Sequence, residues 1–166
     1  MRPLLVPSRA SDEAIKVTFV DDYNVLVPGG GATAVATDRA IYLTMSLRNA
    51  GSGIALMHGW RVELDEQPAE FARPSLESFR RLTRDLYVAA GDIGFWQGAF
   101  RDSSEPEFAR VGARIASRQP IVLDVLYGDH VGGQRMISRF AFRPREDGAW
   151  MATAGRHWNV DRPDPR

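Results

Sequence analysis

The residue types best suited to chemistry fall in one polar, glycine-rich stretch, Tyr127-Gly128-Asp129-His130-Val131-Gly132-Gly133-Gln134-Arg135. An imidazole next to a carboxylate is the pairing used in general acid–base catalysis. Successive backbone N–H groups at Gly132-Gly133 offer a cradle for an anion. His157 joins Asp129 and His130 as a third acid, base or ligand only if the fold returns it to this loop. The plainer reading is a hairpin loop, with glycines taking positive φ and Asp129 accepting turn hydrogen bonds. No catalytic set is therefore assigned; Asp129, His130 and His157 stand as weak candidates.

The chain holds three histidines, His58, His130 and His157. No pair has the close spacing of a ligand motif on a strand or helix, so no metal is expected. There is no cysteine, which excludes a thiol nucleophile, a thiolate metal site and a disulfide framework. Without a phosphate loop, a nucleophile elbow or a dinucleotide fingerprint, no cofactor is expected either.

Binding chemistry has two further candidates. In Gly91-Asp92-Ile93-Gly94-Phe95-Trp96-Gln97-Gly98-Ala99-Phe100-Arg101-Asp102, glycines beside large rings leave a groove for a ligand, or simply let the rings pack over a neighbouring strand. From Arg156 to Arg166, alternating arginine and aspartate either clamp the tail to Asp92, Asp102 or Asp129 or present a polar surface to a partner. Exposed ion pairs contribute only about 0–1 kcal/mol each, which favours a structural tail. The candidate ligand or partner contacts are Asp92, Trp96, Arg101, Asp129, His130, Gln134, Arg135, Arg156 and Trp158.

These residues need strands to position them. Ile15-Val17-Phe19 and Val25–Val27 alternate as short strands, and Pro28-Gly29-Gly30-Gly31 reads as a loop. Ile41 to Leu47 places Ile41, Leu43, Met45 and Leu47 on one dry face and Tyr42, Thr44 and Ser46 on the other. After a turn over 48–53, Ile54 to Leu64 sets Ile54, Leu56, His58, Trp60, Val62 and Leu64 on one face, and the two segments read as a hairpin. Gln67 to Pro74 is expected to connect over the surface, Ser75 to Leu82 to begin a short helix, and Leu86 to Val88 to extend. Ile93 to Phe100 carries aromatics on both faces and reads as a central strand.

Ser103-Ser104-Glu105-Pro106 opens a helix over 107–117, with Phe108, Val111 and Ile115 spaced for one face. Ile121 to Tyr127 alternates again. Met136 to Phe142 and Trp150 to Trp158 make the clearest hairpin, because Asp147-Gly148 supplies the positive φ that a tight turn needs. Asp161 to Arg166 is expected to run extended.

Strands in series with one crossover helix point to a mainly β, single antiparallel sandwich over 1–166, immunoglobulin-like, with one or two short helices and extended tails. A chain of this length needs no disulfide or metal to bury a core.

Lys plus Arg is 21 and Asp plus Glu is 21, so no global field draws the chain to nucleic acid. The only lysine is Lys16, and arginine supplies every other cation. Without a convergent catalytic set, the leading expectation is a non-catalytic binding or interaction module with a protein partner or self-association. An enzyme or metal-dependent hydrolase using the Asp129-His130 loop and a small-molecule sensor around Trp96 and Phe100 are the alternatives.

Arg2-Pro3-Leu4-Leu5-Val6, Leu47 to Ala55, and Arg156-His157-Trp158-Asn159 with Asp161 to Arg166 together resemble an uncharacterised family of actinobacterial proteins. In that family such a domain follows N-terminal hydrophobic helices. The resemblance implies a domain acting beside a membrane, tethered by helices outside this chain, with Met1 an introduced start. It attaches no activity and no site residue.

Overall fold

The computed structural model describes residues 2–65 and 72–163. Its strands are β1 (Leu5–Pro7), β2 (Ile15–Thr18), β3 (Asn24–Val27), β4 (Gly31–Ala36), β5 (Ile41–Asn49), β6 (Ala55–Glu63), β7 (Arg80–Arg81), β8 (Tyr87–Val88), β9 (Ile93–Phe100), β10 (Ile121–Gly128), β11 (Met136–Pro144) and β12 (Trp150–Asn159). One helix, α1 (Pro106–Ala116), precedes β10, and a single 3-10 turn covers Leu76–Ser78.

All pairings are antiparallel, and most strands join one sheet. Across it run β9, β5, then β4 and β1 end to end along β5, then β12, β11, β10 and β6, with β7 and β8 sharing the far edge of β6. The sheet curls into a half-barrel. Its concave side holds Leu43, Met45, Trp96, Phe100, Leu123, Phe140 and Phe142, all buried. Each such side chain contributes about 1.5–3 kcal/mol on burial, which makes this layer the main source of stability.

The curl brings the two ends of the sheet together. Trp60 on β6 lies 5.3 Å from the Trp96 ring and 5.2 Å from the Phe100 ring on β9, both edge to face. The hydrogen-bond ladder does not close there: among the described residues β9 pairs only with β5, and β7 only with β6. A seam with two unpaired edges results.

Several expectations change. β5 and β6 do not form a hairpin; β5 lies between β9 and β4/β1, while β6 pairs with β10 across the barrel. β9 is a seam strand rather than a central one. Its two covered faces arise because the β2–β3 hairpin packs Val17, Phe19 and Val27 against the outer side of β5 and β9. The same hairpin and the N-terminal segment bury Tyr42, Thr44 and Ser46, so β5 has no wet face.

On β6 the register with β10 shifts between Leu126 and Tyr127, a bulge at His58-Gly59. The bulge switches the inward parity, so Ala55 and Met57 face the core on one side of it and Trp60 on the other, while Ile54 is exposed. The strand β4 was not expected, since glycine and alanine are weak strand formers; it is held by pairing with β5 and β12.

A short helix does begin after Ser75, which holds the N-cap position, but it is a single 3-10 turn that gives way to β7, and the expected connection at 67–71 lies outside the described residues. α1 starts without a serine cap. Its N-cap is Glu105, and the Ser104 hydroxyl donates to Asp102 Oδ1 at 2.6 Å. Pro106 in the first turn and buried Val111 match the expectation. The β11–β12 hairpin forms as read, with Gly148 at φ +88°. Of the expected extended tail, 164–166 lies outside the described residues.

Candidate functional site

The seam forms a polar cavity, and two glycines shape it. At Gly59, paired with Arg81, an added Cβ would sit 2.8 Å from the Arg80 carbonyl oxygen, so only glycine lets β7 close on β6. At Gly98 a Cβ would sit 2.6 Å from Trp96 and 2.9 Å from Trp60, so its absence leaves room for the Trp60 indole. Between them lies a slot of about 140 Å³, walled by Trp60, the segment from Arg80 to Arg84, Gln97 to Ala99, and Arg101.

Four of these wall residues are arginines, and among the described residues none is acidic. The Arg80 guanidinium lies 4.6 Å from the Phe100 ring centre and 5.3 Å from that of Trp60, and it pairs with Glu105. Two aromatic faces and a carboxylate thus hold it in one orientation. Its Nη1 is buried with no acceptor. Arg84 uses Nη1 for two neutral acceptors, the Thr18 carbonyl and Gln97 Oε1, each at 3.0 Å. Arg101 lies 3.6 Å from Asp21, and Arg81 is exposed at the rim. A buried donor lacking an acceptor costs about 1–3 kcal/mol, and an incoming anion would relieve that cost.

Two other depressions lack this feature. A groove of about 430 Å³ between β2 and β8–β9 is larger and more open, with a surface of mixed polarity and, among the described residues, Glu13 and Asp92 its only charged wall residues. A second, of about 310 Å³, lies over Arg61, Glu63 and Arg139, whose charges are matched within the fold. In neither does a wall side chain hold a buried, unpartnered polar atom.

A hydrogen-bonded chain runs through the core beside β1. Leu5 N–H donates to the Tyr127 hydroxyl at 3.1 Å; that hydroxyl is 2.7 Å from Ser138 Oγ, which is 2.6 Å from His157 Nδ1. Each proton is used if Tyr127 donates to Ser138 and Ser138 to His157, which leaves the imidazole neutral with its proton on Nε2. Burial pushes the Tyr127 phenol up, so it stays a donor. The serine–histidine pair matches a nucleophile and base in type only, because Ser138 is fully buried and no substrate reaches its Oγ.

The residues singled out from sequence scatter. Asp129 closes its own turn, accepting from Val131 N–H at 3.1 Å and Gly133 N–H at 2.8 Å, while His130 is exposed beside it. His157 is occupied with Ser138, and His58 sits at the β6 bulge. Among the described residues no three His, Asp or Glu side chains gather as a metal site. Gln134 accepts from Arg162 at 2.6 Å, and Arg135 binds Asp161 with two nitrogens. Arg156 lies over the Trp158 ring, which is buried in a cluster with Leu126 and Ile137. Trp96 is fully buried, and Asp92 lies at an exposed turn.

Of the sequence candidates, only Arg101 reaches the seam slot. Trp60, Arg80, Arg81 and Arg84 lie outside the segments singled out from sequence, whereas Gln97 to Ala99 fall within the 91–102 stretch read as a candidate groove. The available signal was Arg80-Arg81-Leu82-Thr83-Arg84, three arginines in five positions within a chain of zero net charge.

Burial holds His157 below the ordinary histidine value of 6.5. It does the same for His58, where the positive charge of Arg135 adds to the effect and Asp129 opposes it. The unfolded chain therefore binds more protons than the folded one just below pH 6.5. Stability should be full above that pH and fall as the solution is acidified toward the folded values. Urea denaturation across about pH 5–7 should show this slope, and His157→Gln should flatten it. An identical slope in His157→Gln and wild type would refute the assignment for His157.

Fold and site together define the chain as a curled antiparallel half-barrel with an arginine-walled slot at its open seam. The chain matches no protein-family model, and no curated protein is significantly similar to it. Among the described residues no helix is long and apolar enough to cross a membrane.

Proposed function

We propose that this protein is a non-catalytic binding module that takes the acidic group of a small molecule at the seam slot. One observation carries the reading: Arg80 Nη1 is buried without an acceptor beside a cavity whose walls, among the described residues, hold four arginines and no carboxylate. Catalysis finds no support in the geometry, since Asp129 is spent on its turn and Ser138 is sealed in the core. The sandwich-like reading of the fold draws its support from the β2–β3 hairpin layered over β5 and β9. Placement beside a membrane, through a tether outside this chain, rests on the family resemblance alone.

The test is thermal unfolding of wild type and an Arg81→Gln/Arg84→Gln double variant against a panel of acidic, neutral and basic metabolites. A ligand at a hundredfold over its Kd stabilises by about 2.7 kcal/mol, so Tm should rise by several degrees. Acidic compounds alone should produce this rise, and only in wild type. A panel in which no acid shifts wild type, or in which acids shift both proteins equally, removes the proposal.

A further inference from the structure

We infer that the group recognised in the slot is a phosphoryl dianion, carried free or on a small molecule; this rests on the seam being the ligand site. Charge selects it first. Arg80 and Arg101 already face Glu105 and Asp21, whereas among the described residues Arg84 meets only neutral acceptors and Arg81 has no carboxylate partner. Two positive charges are therefore left over. A carboxylate would answer one of them, while a phosphate monoester carries about −1.5 to −2 at neutral pH and three strong acceptor oxygens.

Size selects it next. The slot of about 140 Å³ corresponds to roughly five water volumes at ~30 Å³ each, and is well below the ~300 Å³ at which whole cofactors begin to fit. It admits a tetrahedral oxyanion and leaves any larger body outside, over the rim at Arg81. Geometry agrees as well. Arg80, clamped by Phe100 and Trp60, stands in the slot wall with no further side-chain freedom to lose and one nitrogen, Nη1, still without an acceptor, and guanidinium forks match phosphoryl oxygens.

Isothermal titration with inorganic phosphate, phenyl phosphate and benzoate on the intact chain tests the inference. At pH 7.5 a phosphate probe should bind one to one, at least about tenfold tighter than benzoate, and more weakly at pH 6 as the dianion is protonated. Arg81→Gln and Arg84→Gln, both at exposed positions, should each weaken it about tenfold. Arg145→Gln, on the far β11–β12 turn, should leave affinity unchanged. Tighter binding of phenyl phosphate than of inorganic phosphate would point to a carrier molecule, and equal binding to the free ion; both support the inference.

If benzoate binds as tightly as phenyl phosphate, the phosphoryl assignment is overturned while the seam remains an acid-binding site. If phosphate binds the Arg81 and Arg84 variants as well as wild type, the ion lies elsewhere and the assignment also fails. If no acid binds at all, the proposed function falls with it. Matching Tm values of variants and wild type without ligand establish that any loss of binding is local.

Discussion

Asp124→Ala should destabilise the protein by about 3–5 kcal/mol, the characteristic cost of removing one partner from a buried ion pair. Asp124 is fully buried on β10, in register with Arg139 on one side and Arg61 on the other. Its Oδ1 accepts from Arg139 Nε at 2.8 Å, and its Oδ2 from Arg139 Nη2 at 3.0 Å and Arg61 Nη1 at 2.7 Å. Glu63 completes the group, at 3.0 Å from Arg61 and 3.5 Å from Arg139. Two cations and two anions thus balance within three adjacent strands. Removing Asp124 leaves two guanidiniums sharing Glu63 alone.

Against a total stability of about 5–15 kcal/mol for an ordinary domain, that loss is large enough to follow by urea denaturation. Asp124→Asn keeps the shape and some hydrogen bonds, and should lose less. A joint replacement of Asp124, Glu63 and both arginines by apolar residues of similar volume should recover much of the loss, because the desolvation of the charges is then avoided. An Asp124→Ala protein within about 1 kcal/mol of wild type would show that water or Glu63 already compensates the site.

Asn49→Ala is expected to cost about 2–4 kcal/mol, the sum over several backbone groups left without partners. The Asn49 amide is buried and fully used. Its Oδ1 accepts from Leu4 N–H at 3.1 Å and Gly51 N–H at 3.0 Å, while its Nδ2 donates to the Gly53 carbonyl at 2.8 Å and the Val88 carbonyl at 3.0 Å. One side chain therefore ties the N-terminal segment, the turn after β5, and β8. The Val88 carbonyl is the most deeply placed of the four and has the least access to water. Amide hydrogen exchange gives the local readout: protection at Leu4 and Gly51 should fall in Asn49→Ala before the rest of the sheet is affected. Unchanged protection at both amides would contradict this role.

Asn49 also explains a misreading. In sequence, Arg48 to Gly53 has the composition of a hairpin turn, and two alternating strands flank it. The turn residues are present, and Gly53 does take positive φ at +73°. Asn49, however, binds the turn to β8 and the N-terminal segment, and the chain leaves β5 for the opposite end of the sheet. Turn chemistry specifies that the chain reverses locally, and leaves open which strand it then pairs with.

The candidate site was illegible for a related reason. Its residues come from three short stretches, 59–60, 80–84 and 97–101, that lie far apart in sequence. Whole-chain charge is zero because the carboxylates are spread elsewhere, so composition conceals a local excess. Trp96 and Trp158 attracted notice as large rings beside glycine or arginine, but burial absorbs both.

By itself the sequence determined the local choices: where chain segments extend, because apolar residues alternate at 121–127 and 136–142; where α1 begins, because Pro106 suits a first turn; and where β11 turns into β12, because Gly148 tolerates positive φ. Tertiary structure decided which edges face each other, which parity β6 presents on either side of its bulge, and that four arginines line one gap. Periodicity and turn propensity act over a few residues, whereas strand partnership and the closure of a curled sheet are settled by contacts between segments far apart in the chain.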